Sequence, residues 1–117
     1  MKHDITTQND IVLLVDSFYD RVLRDEILSP FFQHIEFEHH KPRMVHFWSF
    51  VLLDEPGYTT NIFDKHSGMP LTLEAMNQWV TLFENTAGEL FEGEKTNQAI
   101  LRAKTIAWTF REKMHLS

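Results

Sequence analysis

The 117-residue sequence contains no cysteine. Disulfides, iron–sulfur clusters, thiolate metal sites and the covalent attachment of c-type haem are therefore excluded. Helix breakers are scarce, with only 4 glycines and 4 prolines. There is no internal repeat, low-complexity tract or linker. No run approaches the roughly 18 apolar residues of a membrane-spanning helix. The first ten residues, MKHDITTQND, lack the apolar centre of a signal peptide. Positive charge is also in short supply: Lys and Arg number 11 against 17 Asp and Glu, a net charge of −6. Phosphate backbones and anionic lipids repel such a chain, so nucleic acid and membrane surfaces are poor partners. The expectation is a cytoplasmic protein.

Apolar material is plentiful. Hydrophobic residues make up 43% of the chain and aromatics 13%, including ten Phe and three Trp. That is enough for one packed domain over residues 1–117, with large flat surfaces to fill or to line.

The breakers Pro30, Asp54-Glu55-Pro56-Gly57, Gly68-Met69-Pro70 and Gly93 divide the chain into helical pieces. From Thr7 to Arg24, Ile11, Leu14, Val15, Phe18 and Val22 repeat with helical spacing. Tyr19 lies four residues after Val15, at the edge of that stripe. Leu28–Phe32, LSPFF, reads as a tight turn. A second helix is expected from about Glu38 to Leu53, with Pro42 in its first turn, where a missing N–H costs nothing. Its stripe is Met44, Phe47, Trp48, Val51 and Leu52, and one step back along it lands on His40. Asn61–His66 reads as a single helical turn stopped by Gly68 and Pro70. Thr72 looks like the N-cap of a helix running to about Leu90, and a last helix follows Gly93. No segment alternates with period two for long, so the class is all-α: four main helices and two short pieces.

Seven histidines invite a metal reading. His34, His39 and His46 fit a solvated polar face better, because Arg43 lies between His39 and His46 on one side of the helix and no carboxylate completes a ligand set. His40 and His66 differ: each sits at a helix end and is tied to an apolar stripe. A lone inward histidine is most often a hydrogen-bonded core residue. Two of them beside Phe18, Tyr19, Phe31, Phe32, Phe47, Trp48, Trp79 and Phe83 suit a flat slot for an aromatic cofactor, and imidazole is the usual protein ligand of haem iron. Tyr19 and Trp79 carry polar groups that need partners when buried.

The segments FYDRVLRDEILSPFF, RMVHFWSFVLL, HSGMPLT, WVTLFENT and RAKTIA, in this order, resemble the group III truncated haemoglobins. The resemblance covers about Ile11 to Phe110. It implies a short globin fold, two helices over two, around non-covalent haem b. His66 matches the proximal iron ligand that leads into the family's H-x-x-L-P motif. Tyr19, His40 and Trp79 match the distal, ligand-facing set. Phe32 matches a phenylalanine wedged at the haem edge, and Met44 a residue roofing the distal side. Phe47 joins the haem contacts, and Arg43 and Lys65 are the propionate partners by position and charge. The chain departs from the pattern at Phe37, where the family often has Trp, and after Tyr58, where a Gly and a Pro are lost. The implied function is reversible binding of O₂, or of NO or CO, at ferrous iron, with an unidentified reductase as partner. The alternatives are a haem redox enzyme acting on NO or peroxide, a non-haem helical metal protein using the histidine cluster, and a globin-fold sensor domain that has lost haem.

Overall fold

The computed structural model describes residues 2–33, 36–55 and 72–113. Helix α1 spans Gln8–Arg24, α2 Ser29–Phe32, α3 Phe37–Leu53, α4 Leu73–Leu90 and α5 Glu94–Lys113. The described residues form no strand. The expected turn at Asn61–His66 lies outside them.

Local signals account for most helix ends. Thr7 caps α1 in a reciprocal box: its hydroxyl accepts from the Asp10 N–H at 3.2 Å, and Asp10 accepts from the Thr7 N–H at 3.1 Å. Asp25 then stops α1 and starts the next turn by accepting from the Ile27 and Leu28 N–H groups at 2.9 and 3.0 Å. The LSPFF segment, expected as a turn, closes into the single helical turn α2. Thr72 caps α4 by accepting from the Ala75 N–H at 3.0 Å. Asp54, at φ 56°, ends α3 in the left-handed region.

One boundary differs from expectation. Helix α3 begins at Phe37, which puts Pro42 in its second turn rather than its first. The proline denies the Glu38 carbonyl its helical donor. Glu38 and Pro42 are both exposed, so water can take that carbonyl.

The end of α5 nearest the N-terminus is capped from far away. Asp4 accepts from the Lys95 N–H at 2.8 Å, the Thr96 N–H at 2.9 Å and the Thr96 hydroxyl at 2.8 Å. Gly93, at φ +143°, makes room for this: a Cβ there would stand 2.5 Å from the Asp4 Cγ.

The long helices associate as two pairs, α1 with α3 and α4 with α5, and α1 also packs on α4 and α3 on α5. This is the two-over-two arrangement. The buried stripe of α1 (Ile11, Leu14, Val15, Phe18, Tyr19 and Val22) meets Phe47, Trp48 and Leu52 of α3 and Phe83 and Ala87 of α4 in one core.

Candidate functional site: an aromatic cavity with a polar wall

A cavity of about 70 Å³ opens between the helix pairs. Eight aromatic residues, Tyr19 and Phe110 together with Phe18, Phe32, Phe47, Trp48, Trp79 and Phe83, supply much of its lining. Their rings are ordered against one another. Phe83 stacks on Trp48 at 4.9 Å and 19° and on Trp79 at 6.0 Å and 21°. Phe18 stands edge-on to Tyr19, Trp79 and Phe83 at 5.2, 5.8 and 5.3 Å, a favourable arrangement of ring quadrupoles.

Tyr19 interrupts this apolar lining. Its side chain is 5% exposed, and its hydroxyl lies 2.9 Å from Nε2 of half-buried His40. Their rings meet edge-on at 5.0 Å. Helices α1 and α3 bring these residues together across 21 positions of sequence. Burial pushes the Tyr19 hydroxyl well above the usual phenol range, so it stays protonated and able to donate at every physiological pH.

Trp79 lines the cavity from α4. The helix register there is fixed next door, where Gln78 donates to Asp25 at 2.5 Å. Burial raises the Asp25 pKa, but the Gln78 bond and the Leu28 and Ile27 N–H groups outweigh it and hold the carboxyl below its usual value.

The expected site residues divide into three groups. Tyr19, Phe32, Met44, Phe47 and Trp79 all border the cavity, and His40 reaches it through Tyr19. Arg43 is exposed on α3. Lys65 and His66 lie outside the described residues. Of the other histidines, His39 pairs with Glu36 at 3.6 Å on the surface, and His34 is outside the described residues. Among the described residues no three His, Asp or Glu side chains come together as a metal site.

The family model of the bacterial-like globins matches residues 3–112. The group 3 truncated hemoglobin ctb of Campylobacter jejuni is 30% identical over 122 residues, which span 98% of this chain and 96% of that protein. This chain belongs to the group III truncated haemoglobins. A crystal structure of the group III truncated hemoglobin from Campylobacter jejuni superposes with a TM-score of 0.88 at 30% identity, covering 97% of this chain and 95% of that one.

For a truncated haemoglobin, globin membership implies haem and the binding of a diatomic ligand. The cavity chemistry fits that group. A largely aromatic, apolar lining suits a macrocycle, and the polar Tyr19–His40 pair interrupts it at one place. Reasoning from sequence did not single out Met76, Ile106 and Phe110, which also line the truncated haemoglobin's cavity. Their helical spacing marks them as inward, but nothing in it separates cavity wall from ordinary core. No helix among the described residues is long and apolar enough to cross a membrane.

Proposed function

We propose that this truncated haemoglobin holds haem b non-covalently and binds O₂, or another diatomic such as NO or CO, reversibly. Haem, when bound, supplies the iron at which the ligand sits. His66 is the proximal ligand in this reading, on the strength of its match to the family's H-x-x-L-P motif and its place before the Ser-Gly-Met-Pro stop. Phe32, Met44 and Phe47 contact the macrocycle. Arg43 and Lys65 pair with its propionates; exposed Arg43 is free to do so from the protein surface.

The observation that carries this reading is the buried Tyr19 hydroxyl, hydrogen-bonded to His40 on the wall of an aromatic cavity. Two proton arrangements satisfy the 2.9 Å contact. Tyr19 donates to an unprotonated Nε2, or Nε2–H donates to the Tyr19 oxygen. The second arrangement releases the phenolic proton toward the cavity. His40 is then a positioning residue that hands the donor role to Tyr19. Trp79 contributes its indole N–H from the facing helix. Both donors work in an apolar setting, where hydrogen bonds to a partly charged acceptor are strong. Turnover with NO or peroxide would use the same donors, and nothing in the geometry favours it over binding.

A hydrogen bond to a partly charged acceptor is worth about 1.5–3 kcal/mol, and about 1.4 kcal/mol is tenfold. Tyr19→Phe should therefore speed O₂ release roughly ten- to a hundredfold and change CO release far less. Stopped-flow dissociation on Tyr19→Phe, Trp79→Phe and the double variant measures this and resolves coupling between the two donors. Unchanged O₂ release on loss of the Tyr19 hydroxyl in both backgrounds rejects the assignment.

A further inference from the structure

Leu101, Lys104, Trp108 and Arg111 follow an i, i+3, i+7, i+10 spacing and form one stripe along α5. The stripe faces outward: Leu101 is 65% exposed and Trp108 56%. Exposed tryptophan beside arginine is the composition of a protein interface rather than of an ordinary surface. Trp108, Lys104 and Arg111 also line a groove of about 330 Å³ between α4 and α5, with Asn77 and Thr81 on its other side.

Charge narrows the choice of occupant. The chain as a whole carries −6, yet the charged residues among the described lining of this groove, Lys104 and Arg111, are both basic. Their present pairings are weak surface contacts, Lys104 with Glu84 at 3.5 Å and Arg111 with Glu112 at 3.9 Å. Exposed pairs of this kind are readily exchanged for a better acceptor. Two cations on an acidic chain are too few to hold a phosphate backbone, and a second copy docked groove to groove would set Lys104 and Arg111 against their own counterparts. An acidic protein surface with an apolar spot for the indole fits both features.

The floor of the groove points to what such a partner does. Met76 is buried and lines both this groove and the aromatic cavity. A protein seated in the groove therefore rests against a side chain that also faces the cavity.

We propose that the α4–α5 groove docks an acidic one-electron carrier protein, with Trp108 as its apolar anchor and Lys104 and Arg111 as its charge contacts. The docking stands on the groove alone; the electron-carrier role rests on the haem reading above. In that role one electron leaves the reduced carrier and converts ferric to ferrous iron, with no bond made or broken.

The test titrates the purified protein with oxidised flavodoxin and, separately, with plant-type ferredoxin, both acidic carriers, by calorimetry at about 20 mM and about 300 mM salt. Reduction by each pre-reduced carrier is then followed by stopped flow. Saturable binding at low salt that fades at high salt is expected. Trp108→Ala and the double variant Lys104→Glu/Arg111→Glu should each weaken binding and slow reduction about tenfold. Arg102→Glu, exposed on α5 but outside the groove, should change both less than about twofold. Reduction by dithionite should be the same in every variant. Failure of both carriers to bind, or an equal loss in Arg102→Glu, overturns the docking surface. A dimer that the groove variants abolish, with no carrier binding, overturns it in favour of a second copy. Groove-dependent binding by a protein that shows no Soret band upholds the docking surface and refutes the haem reading instead.

Discussion

A hydroxyl sealed inside an apolar wall either finds a partner or costs stability, and this chain holds both cases. Tyr19 meets His40. Ser49 does not: its Oγ is fully buried on α3 and has no hydrogen-bond partner among the described residues. An unsatisfied buried hydroxyl costs about 1–3 kcal/mol relative to a satisfied one, and removing it restores part of that. Ser49→Ala should therefore leave stability unchanged or raise it by about 1 kcal/mol in a denaturant titration, with an unchanged m-value. A loss larger than about 1 kcal/mol would reveal a partner for the hydroxyl. Tyr19 and His40 were legible in sequence because each continues an apolar stripe at helical spacing. Their contact with each other was not, since periodicity assigns a residue to a face and says nothing of which face it meets. The family resemblance grouped them; the geometry shows a hydrogen bond between them.

Among the elements, α5 depends most on residues distant in sequence. Its first turn is closed by Asp4, across 91 and 92 positions of sequence, and the same N-terminal segment is tied down by a bond from the Glu92 N–H to the His3 carbonyl at 3.1 Å. Asp4→Ala removes this cap at a cost of about 1–2 kcal/mol and should lower Tm by several degrees. Gly93→Ala should do likewise, because it collides with the same carboxylate from a backbone conformation that alanine avoids. Gly93 was read correctly as a breaker, but cap rules look at neighbouring residues and cannot find an aspartate at the other end of the chain. The nearby cap Thr72 was legible for the same reason that Asp4 was not.

The caps also give α1 and α5 a shared response to acid. Burial raises the Asp4 pKa, but the Lys95 N–H, the Thr96 hydroxyl and the Ile5 and Thr96 N–H groups outweigh it and hold it below the usual value. Burial likewise raises Asp10, but the Thr6 N–H, the His3 side chain and the Thr7 N–H hold it to about 2. A carboxyl with a lower pKa in the folded state binds its proton first when unfolded. For Asp10 that stabilisation is complete above the ordinary value of 3.8 and is lost as pH falls through the window down to about 2, and Asp4 adds to the loss in the same direction. Melting curves between those values should show a steep decline in Tm, shallower in Asp10→Asn. An identical slope in the variant would remove Asp10 from the account.

For the whole molecule, the two helix pairs leave between them a cavity walled by rings rather than a closed core. The all-α class and the order of the long helices were readable from period-3.6 stripes and a handful of breakers. The aromatic slot was legible too, since Phe18, Tyr19, Phe32, Phe47, Trp48, Trp79 and Phe83 were expected beside it and all line the cavity; the remaining wall was not, because Met76, Ile106 and Phe110 look the same on a helical stripe whether they touch another helix or a cofactor. A ligand that binds only the folded state stabilises it by mass action, by about 4 kcal/mol at a thousandfold excess over Kd. Haem should accordingly raise the melting temperature, and removing it should lower it. The most direct measurement is the absorption spectrum of the protein titrated with haem b, recorded in ferric, ferrous and CO-bound forms, for the native chain and for His66→Ala. The account predicts a saturable Soret band at one haem per chain and a distinct CO-bound spectrum for the native protein, with haem binding lost or its ferrous-CO spectrum altered in His66→Ala. Absence of a Soret band in the native protein, or an unchanged haem content and spectrum in His66→Ala, would contradict it.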